Sequence, residues 1–171
     1  MEKAPITRLG YERLYWQLQY LRRFARREVA EDLAEARAYG VSINNLQWRT
    51  AREKQLWVET AIQDLEFKIA NCEIRLVPLR SSGRVDFGLF VKVIDDASRQ
   101  AAVYQMVGPY ESDVCAGKLS VDSPVGRMLM HRSVGDWVTI YCPNGVRRYQ
   151  ILEVFQLGEG SLLPALVEEL E

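Results

Sequence analysis

The sequence predicts an α+β protein: an N-terminal antiparallel two-helix coiled-coil hairpin, followed by a small antiparallel β domain with one short helix. Three observations carry this. Residues 6–77 contain no proline and show two apolar stripes at helical spacing. A polar break containing Gly40, Ser42, Asn44 and Asn45 separates the stripes. After Pro78 the pattern changes to short β-branched and aromatic runs punctuated by Gly, Asn and Pro.

In the first arm Thr7 can cap a helix beginning near Leu9 or Gly10. Apolar residues then recur at Leu14, Leu18, Leu21, Ala25, Val29, Leu33 and Ala36. Steps of three and four place them on one face of a long helix. The second arm repeats this with Val58, Ile62, Leu65, Ile69 and Cys72, the spacing of a two-stranded seam. Two such stripes joined by a short turn bury each other, which makes an antiparallel hairpin. Arms of about 28 residues, at a rise of about 1.5 Å each, give a length of about 40 Å. A compact bundle would need a third long helix, and no such pattern follows.

The strands are expected over 85–93, as one or two, and over 102–107, 137–142 and 149–154. Cys142-Pro143-Asn144-Gly145 reads as the hairpin turn between the last two. Ser123 and Pro124 read as the N-cap and first residue of a short helix. The expected domains are 1–78 for the hairpin, 79–157 for the β domain and 158–171 for a tail. Residues 161–170 of that tail read either as a short amphipathic helix or as plain extension.

Composition narrows the function. The chain has 171 residues, 48% apolar and 26% charged, as in ordinary globular proteins. No basic run with an apolar core opens it, so no signal peptide is expected. No apolar run nears the roughly 20 residues a membrane span needs. Both point to a cytoplasmic protein without membrane contact. Cys72, Cys115 and Cys142 are widely spaced and His131 is the sole histidine. No zinc pattern, disulfide framework or histidine-based catalytic dyad is suggested. Residues 1–80 carry 14 basic and 11 acidic side chains, net +3, and 81–171 carry 8 and 12, net −4. That split does not support duplex DNA binding, which asks for a strongly basic face.

The segment Ala36-Arg37-Ala38-Tyr39-Gly40-Val41-Ser42-Ile43-Asn44-Asn45 resembles the hairpin tip of the bacterial Gre transcript-cleavage factors. Their pattern runs roughly Ala-Arg-x-x-Gly-Asp-x-x-Glu-Asn. The resemblance extends through Phe87-Gly88, Tyr104-Gln105-Met106-Val107-Gly108, Ser120 to Arg127, Val134 to Val138 and Pro143-Asn144-Gly145, in the family's order. It covers Pro5 to about Phe155, and implies that the second domain resembles the FKBP fold without prolyl-isomerase activity.

The resemblance implies a protein that inserts its hairpin into the secondary channel of RNA polymerase. In the family, tip carboxylates help hold a second Mg²⁺ and position the water that cuts backtracked RNA. Here Val41 stands in place of Asp and Asn44 in place of Glu. Mg²⁺ asks for hard, anionic oxygen ligands. Val41 and Ile43 offer none, and Ser42, Asn44 and Asn45 offer only neutral ones. No Asp or Glu lies between Arg37 and Arg52, so no catalytic residue, metal ligand or cofactor is expected. Glu35 and Glu53, down the arms, are the nearest carboxylates.

The expected activity is therefore that of a Gre-like, polymerase-binding factor. It modulates transcription without stimulating cleavage and competes with active Gre factors. Two rivals stand beside it: a genuine cleavage factor with a displaced carboxylate, and an FKBP-like binding or chaperone module. Arg37 and Arg52 match the family's tip-flanking arginines and are candidates for contact with the RNA 3′ segment or the channel. Arg22, Arg23, Arg26 and Arg27 form a basic band that reads either as such a contact or as a solvated face with i,i+4 pairs. Val41, Ile43, Leu46 and Trp48 make the tip apolar, either as a contact surface or by closing the seam. Asp122, Ser123 and Pro124 match the region through which the family grips the channel rim, and also suit a helix cap. The free protein is expected to be a monomer.

Overall fold

The computed structural model describes residues 3–38, 45–78, 81–142 and 145–156. Its contacts divide the chain into two units. Residues 8–72 form the first, and the second runs from Glu73 onward and takes in Ala4–Thr7.

The first unit is the helical hairpin. Its first arm comprises α1 (Arg8–Tyr20), a π-helical stretch (Leu21–Ala25) and α2 (Arg26–Ala38). All seven expected seam residues, Leu14 to Ala36, are buried. The π stretch follows from their spacing. A strict alternation of fours and threes after Ala25 would bring Glu28 to the seam, yet the next apolar residue is Val29. One surplus residue must be absorbed, and a wider π turn absorbs it while keeping the stripe on one face.

The second arm is α3 (Leu46–Ala70), which buries Ala51, Val58, Ile62 and Leu65. Ile69 is half-buried. Cys72 is buried but corrects the expected seam, because the helix ends at Ala70 and Cys72 opens a strand. Asn71 stops the helix: its side-chain amide donates to the Phe67 carbonyl at 2.8 Å, occupying an orphan acceptor. Ion pairs link the arms: Arg22 to Glu66 and Arg26 to Glu59 at 2.6 Å each, and Lys54 to Glu28 at 2.7 Å and Asp32 at 2.9 Å. As residue numbers rise on the first arm they fall on the second, the antiparallel order expected. Exposed pairs each contribute about 0–1 kcal/mol, so the apolar seam supplies most of the stability.

Two sheets follow, whose strands lie in the second unit except for Cys72 at the boundary. Strand β1 (Ala4–Ile6) pairs with β2 (Cys72–Ile74). Neither was legible in the sequence, being three residues long, one of them with a proline. The main sheet has strands β3 (Phe90–Asp95), β4 (Ala101–Val107), β5 (Lys118–Ser120), β6 (Trp137–Cys142) and β7 (Gly145–Phe155), in the order β5-β4-β3-β7-β6. It is antiparallel except at β5, which runs parallel to β4. A bulge between Lys92 and Val93 shifts the β3–β7 register. Residues 143–144 of the expected turn lie outside the described residues.

Alternation along β3 sends Val91 and Val93 inward, where they join Met106, Val138, Ile140 and Ile151. Val85 and Leu89 belong to the same core and Phe87 is also buried, yet only Phe90 onward forms the strand. The reason is local. Gly88 has a φ of +82° and the Leu89 amide donates back to the Asp86 carbonyl at 3.2 Å. A turn there breaks the pleat. The helix α4 (Pro124–Leu129) closes the core with Leu129.

Candidate functional site

Of the expected tip residues, Val41, Ser42, Ile43 and Asn44 lie outside the described residues. Asn45 and the roots of both arms are described. Asn45 is the N-cap of α3: its side-chain oxygen accepts from the Trp48 amide at 3.1 Å, and its side-chain nitrogen donates to the Ala36 carbonyl at 3.2 Å. One amide thus satisfies a free donor at the start of α3 and reaches across to the end of α2. Asparagine is a favoured N-cap, and that signal was present in the sequence.

Arg37 and Trp48 close the same end. The guanidinium sits 5.6 Å from the ring centroid, within cation–π range. Trp48 is half-buried, whereas Leu46 is exposed. Of the apolar residues expected at the tip, Trp48 therefore packs on Arg37 and Leu46 faces solvent. Arg52 is exposed and donates to the Gln55 side-chain oxygen at 2.7 Å. Arg37 and Arg52 are thus differently held, one over a ring and one by a side-chain hydrogen bond within its own helix.

Below them, an open hollow of about 520 Å³ lies between the arms, lined by Asp32, Glu35, Leu46, Gln47, Thr50 and Lys54 among others. Lys54 bridges Glu28 and Asp32. Those carboxylates hold its ammonium above the ordinary lysine range, chiefly through the hydrogen bond to Glu28. Glu35 is exposed and has no ion pair among the described residues. In the arginine band, Arg22 and Arg26 are engaged by Glu66 and Glu59, and Arg27 stands 3.6 Å from Glu31. The Arg26 hydrogen bond holds the Glu59 carboxyl below its usual range. Arg23 is exposed without an ion pair among the described residues.

On the second unit, Ser123 caps α4. Its hydroxyl accepts from the Gly126 amide at 3.0 Å and donates to the Ser120 carbonyl at 2.7 Å. Pro124 takes the first turn of the helix, where its missing N–H costs nothing. Asp122 and Pro124 are exposed, and the Asp122 amide donates to the Ser120 hydroxyl at 3.1 Å. The motif is therefore a cap that also presents a carboxylate and a proline ring to solvent. Among the described residues no helix is long and apolar enough to cross a membrane.

The chain thus carries a two-helix hairpin followed by a five-stranded sheet and a short helix that opens on Ser123 and Pro124. Residues 4–74 match the family described as transcription elongation factor, N-terminal, and residues 80–156 match transcription elongation factor, GreA/GreB, C-term. The chain belongs to the GreA/GreB family of transcription elongation factors. It is 40% identical over 154 residues to transcription elongation factor GreA of Rickettsia bellii, covering 90% of this chain and 96% of that protein. It is 38% identical over 154 residues to GreA of Caulobacter vibrioides, covering 90% and 98%. Among solved structures, the GreA factor homolog 1 protein of Thermus thermophilus superposes with a TM-score of 0.41 at 25% identity, over 89% of this chain and 98% of that one.

Proposed function

We propose that this chain binds bacterial RNA polymerase, places its hairpin in the secondary channel and modulates transcription without stimulating RNA cleavage. The observation that carries this reading is chemical. No carboxylate lies between Arg37 and Arg52, and the side chain of Asn45 is committed to Trp48 and Ala36. A second Mg²⁺ needs anionic oxygens that this tip does not supply. The chain then has no catalytic residue and needs no cofactor of its own. Arg37 and Arg52 are the proposed contacts with the RNA 3′ segment or the channel wall. Asp122, Ser123 and Pro124 are the proposed grip on the channel rim.

The deciding experiment uses halted elongation complexes with backtracked RNA. The protein should leave transcript length unchanged across a Mg²⁺ titration. It should also suppress cleavage by an authentic Gre factor as its concentration rises, because one channel admits one hairpin. Shortening of the RNA by this protein alone overturns the reading, and so does full cleavage by the authentic factor at saturation.

One observation favours a second reading, a cleavage factor with a displaced carboxylate. Glu35 stands on the hollow at the root of the tip, without an ion pair among the described residues. If cleavage is seen, Glu35→Gln should abolish it.

A further inference from the structure

The outer face of the first arm carries more than a hairpin needs. A seam helix requires one apolar stripe, which α1 already supplies with Leu14 and Leu18. Yet Trp16, Tyr20 and Phe24 are 68%, 58% and 56% exposed. Set four residues apart, they form one row about 12 Å long. Tyr20 and Phe24 stack with centroids 5.7 Å apart, and Tyr15 meets Trp16 edge-on at 5.9 Å. Phe24 lies within the π stretch, a backbone feature frequent at functional sites.

The charges beside the row differ from those beside the seam. Arg22 and Arg26 are spent on Glu66 and Glu59. Arg13 and Arg23 are exposed and have no ion pair among the described residues. Exposed aromatic rings interleaved with uncompensated arginines are the residue types that dominate protein interfaces.

We propose that this row is a docking strip for an apolar, acidic protein surface, and that the surface belongs to RNA polymerase. The proposal rests on the polymerase reading above and deepens it. The rings enter apolar pockets at little entropic cost, and Arg13 and Arg23 meet carboxylates. Single-stranded nucleic acid fits less well. Tyr20 and Phe24 cover one another's faces, which leaves fewer free ring faces for bases.

The test is binding of the full chain to core polymerase by interferometry, with far-UV circular dichroism confirming that each variant keeps its helices. Trp16→Ser with Phe24→Ser should weaken binding at least about tenfold, the loss expected of interface anchors. Arg13→Glu with Arg23→Glu should weaken it at low salt, with the difference shrinking at high salt. The control Arg8→Ala, whose side chain pairs with Glu12, should change little. Folded strip variants that bind polymerase like wild type overturn the strip while leaving the polymerase reading intact. Wild type that fails to bind polymerase overturns both. A labelled single-stranded RNA held by wild type and released by Trp16→Ser with Phe24→Ser, without a polymerase effect, assigns the strip to nucleic acid and sinks the proposal.

Discussion

The Arg37 guanidinium lies over the Trp48 ring, 5.6 Å from its centroid, and joins the end of α2 to the start of α3. Together with the Asn45 amide on the Ala36 carbonyl, it ties the arms at the root of the tip. Arg37, proposed above as a contact for RNA or the channel, thus makes a structural contact as well. A double-mutant cycle of Arg37→Ala and Trp48→Ala should give a coupling of about 0.5–1 kcal/mol in urea melts. Additive effects of the two changes would show that the contact adds nothing.

Asn45 should matter for stability. Asn45→Ala removes the cap of α3 and should cost about 1 kcal/mol. Asn45→Asp should cost less, because its carboxylate still accepts from the Trp48 amide and suits a helix N-terminus. Both are read from thermal melts at 222 nm. An alanine variant as stable as wild type would contradict the capping role.

The hairpin should weaken in acid through Glu59. Its carboxyl is held below the usual range, first by the hydrogen bonds from Arg26 at 2.9 and 2.6 Å. A depressed folded value means the contribution is complete above the unfolded value of about 4.3 and is lost as pH falls through the folded one. The melting temperature should therefore hold from pH 7 to about pH 5 on this account and drop below about pH 4. In Glu59→Gln this part of the drop should vanish; a variant with an undiminished acid slope places its origin elsewhere.

Much of the hairpin was legible because burial has a period. Leu14 to Ala36 stand at helical spacing, and Val58, Ile62 and Leu65 repeat that spacing on the opposite arm. Even the π stretch left a mark, in the three successive fours from Leu21 to Leu33. Strands β1 and β5 left none, since three residues carry no period and their pairing is decided by distant partners. Val85, Phe87 and Leu89 read as a strand by alternation, yet the positive φ of Gly88 turns the chain. At the tip, Asn45 read as a weak ligand by chemistry alone. Its role became visible only when its partners, the Trp48 amide and the Ala36 carbonyl, came together in space.

The start of α4 should tolerate little. A methyl group at Gly126 would fall 2.0 Å from the Ser120 carbonyl oxygen, backbone that cannot step aside cheaply. Gly126→Ala should destabilise by about 1–3 kcal/mol, and Ser123→Ala by about 1 kcal/mol. Pro124→Ala removes an exposed ring from a helix that keeps its cap, so stability should change little. If the motif is the polymerase grip, that variant should bind polymerase more weakly although its melt is normal. Unchanged affinity would reduce Pro124 to its helical role.

Restoring carboxylates at the tip tests the central chemical argument. Val41→Asp with Asn44→Glu places two anionic ligands where the resemblance puts them, and hard-oxygen charge is what a second Mg²⁺ requires. Both changes leave Asn45, Arg37 and Trp48 themselves unaltered. The double variant should gain Mg²⁺-dependent shortening of backtracked RNA, and each single change should gain less, since it supplies half the charge. Asn45→Asp alone should gain nothing, because its oxygen is turned toward the Trp48 amide. The readout is transcript length on a gel from halted complexes across a Mg²⁺ titration, beside polymerase binding by the same variants. A double variant that binds normally and never cuts would show that more than two missing charges separates this chain from a cleavage factor, and would turn attention to Ile43 and Leu46.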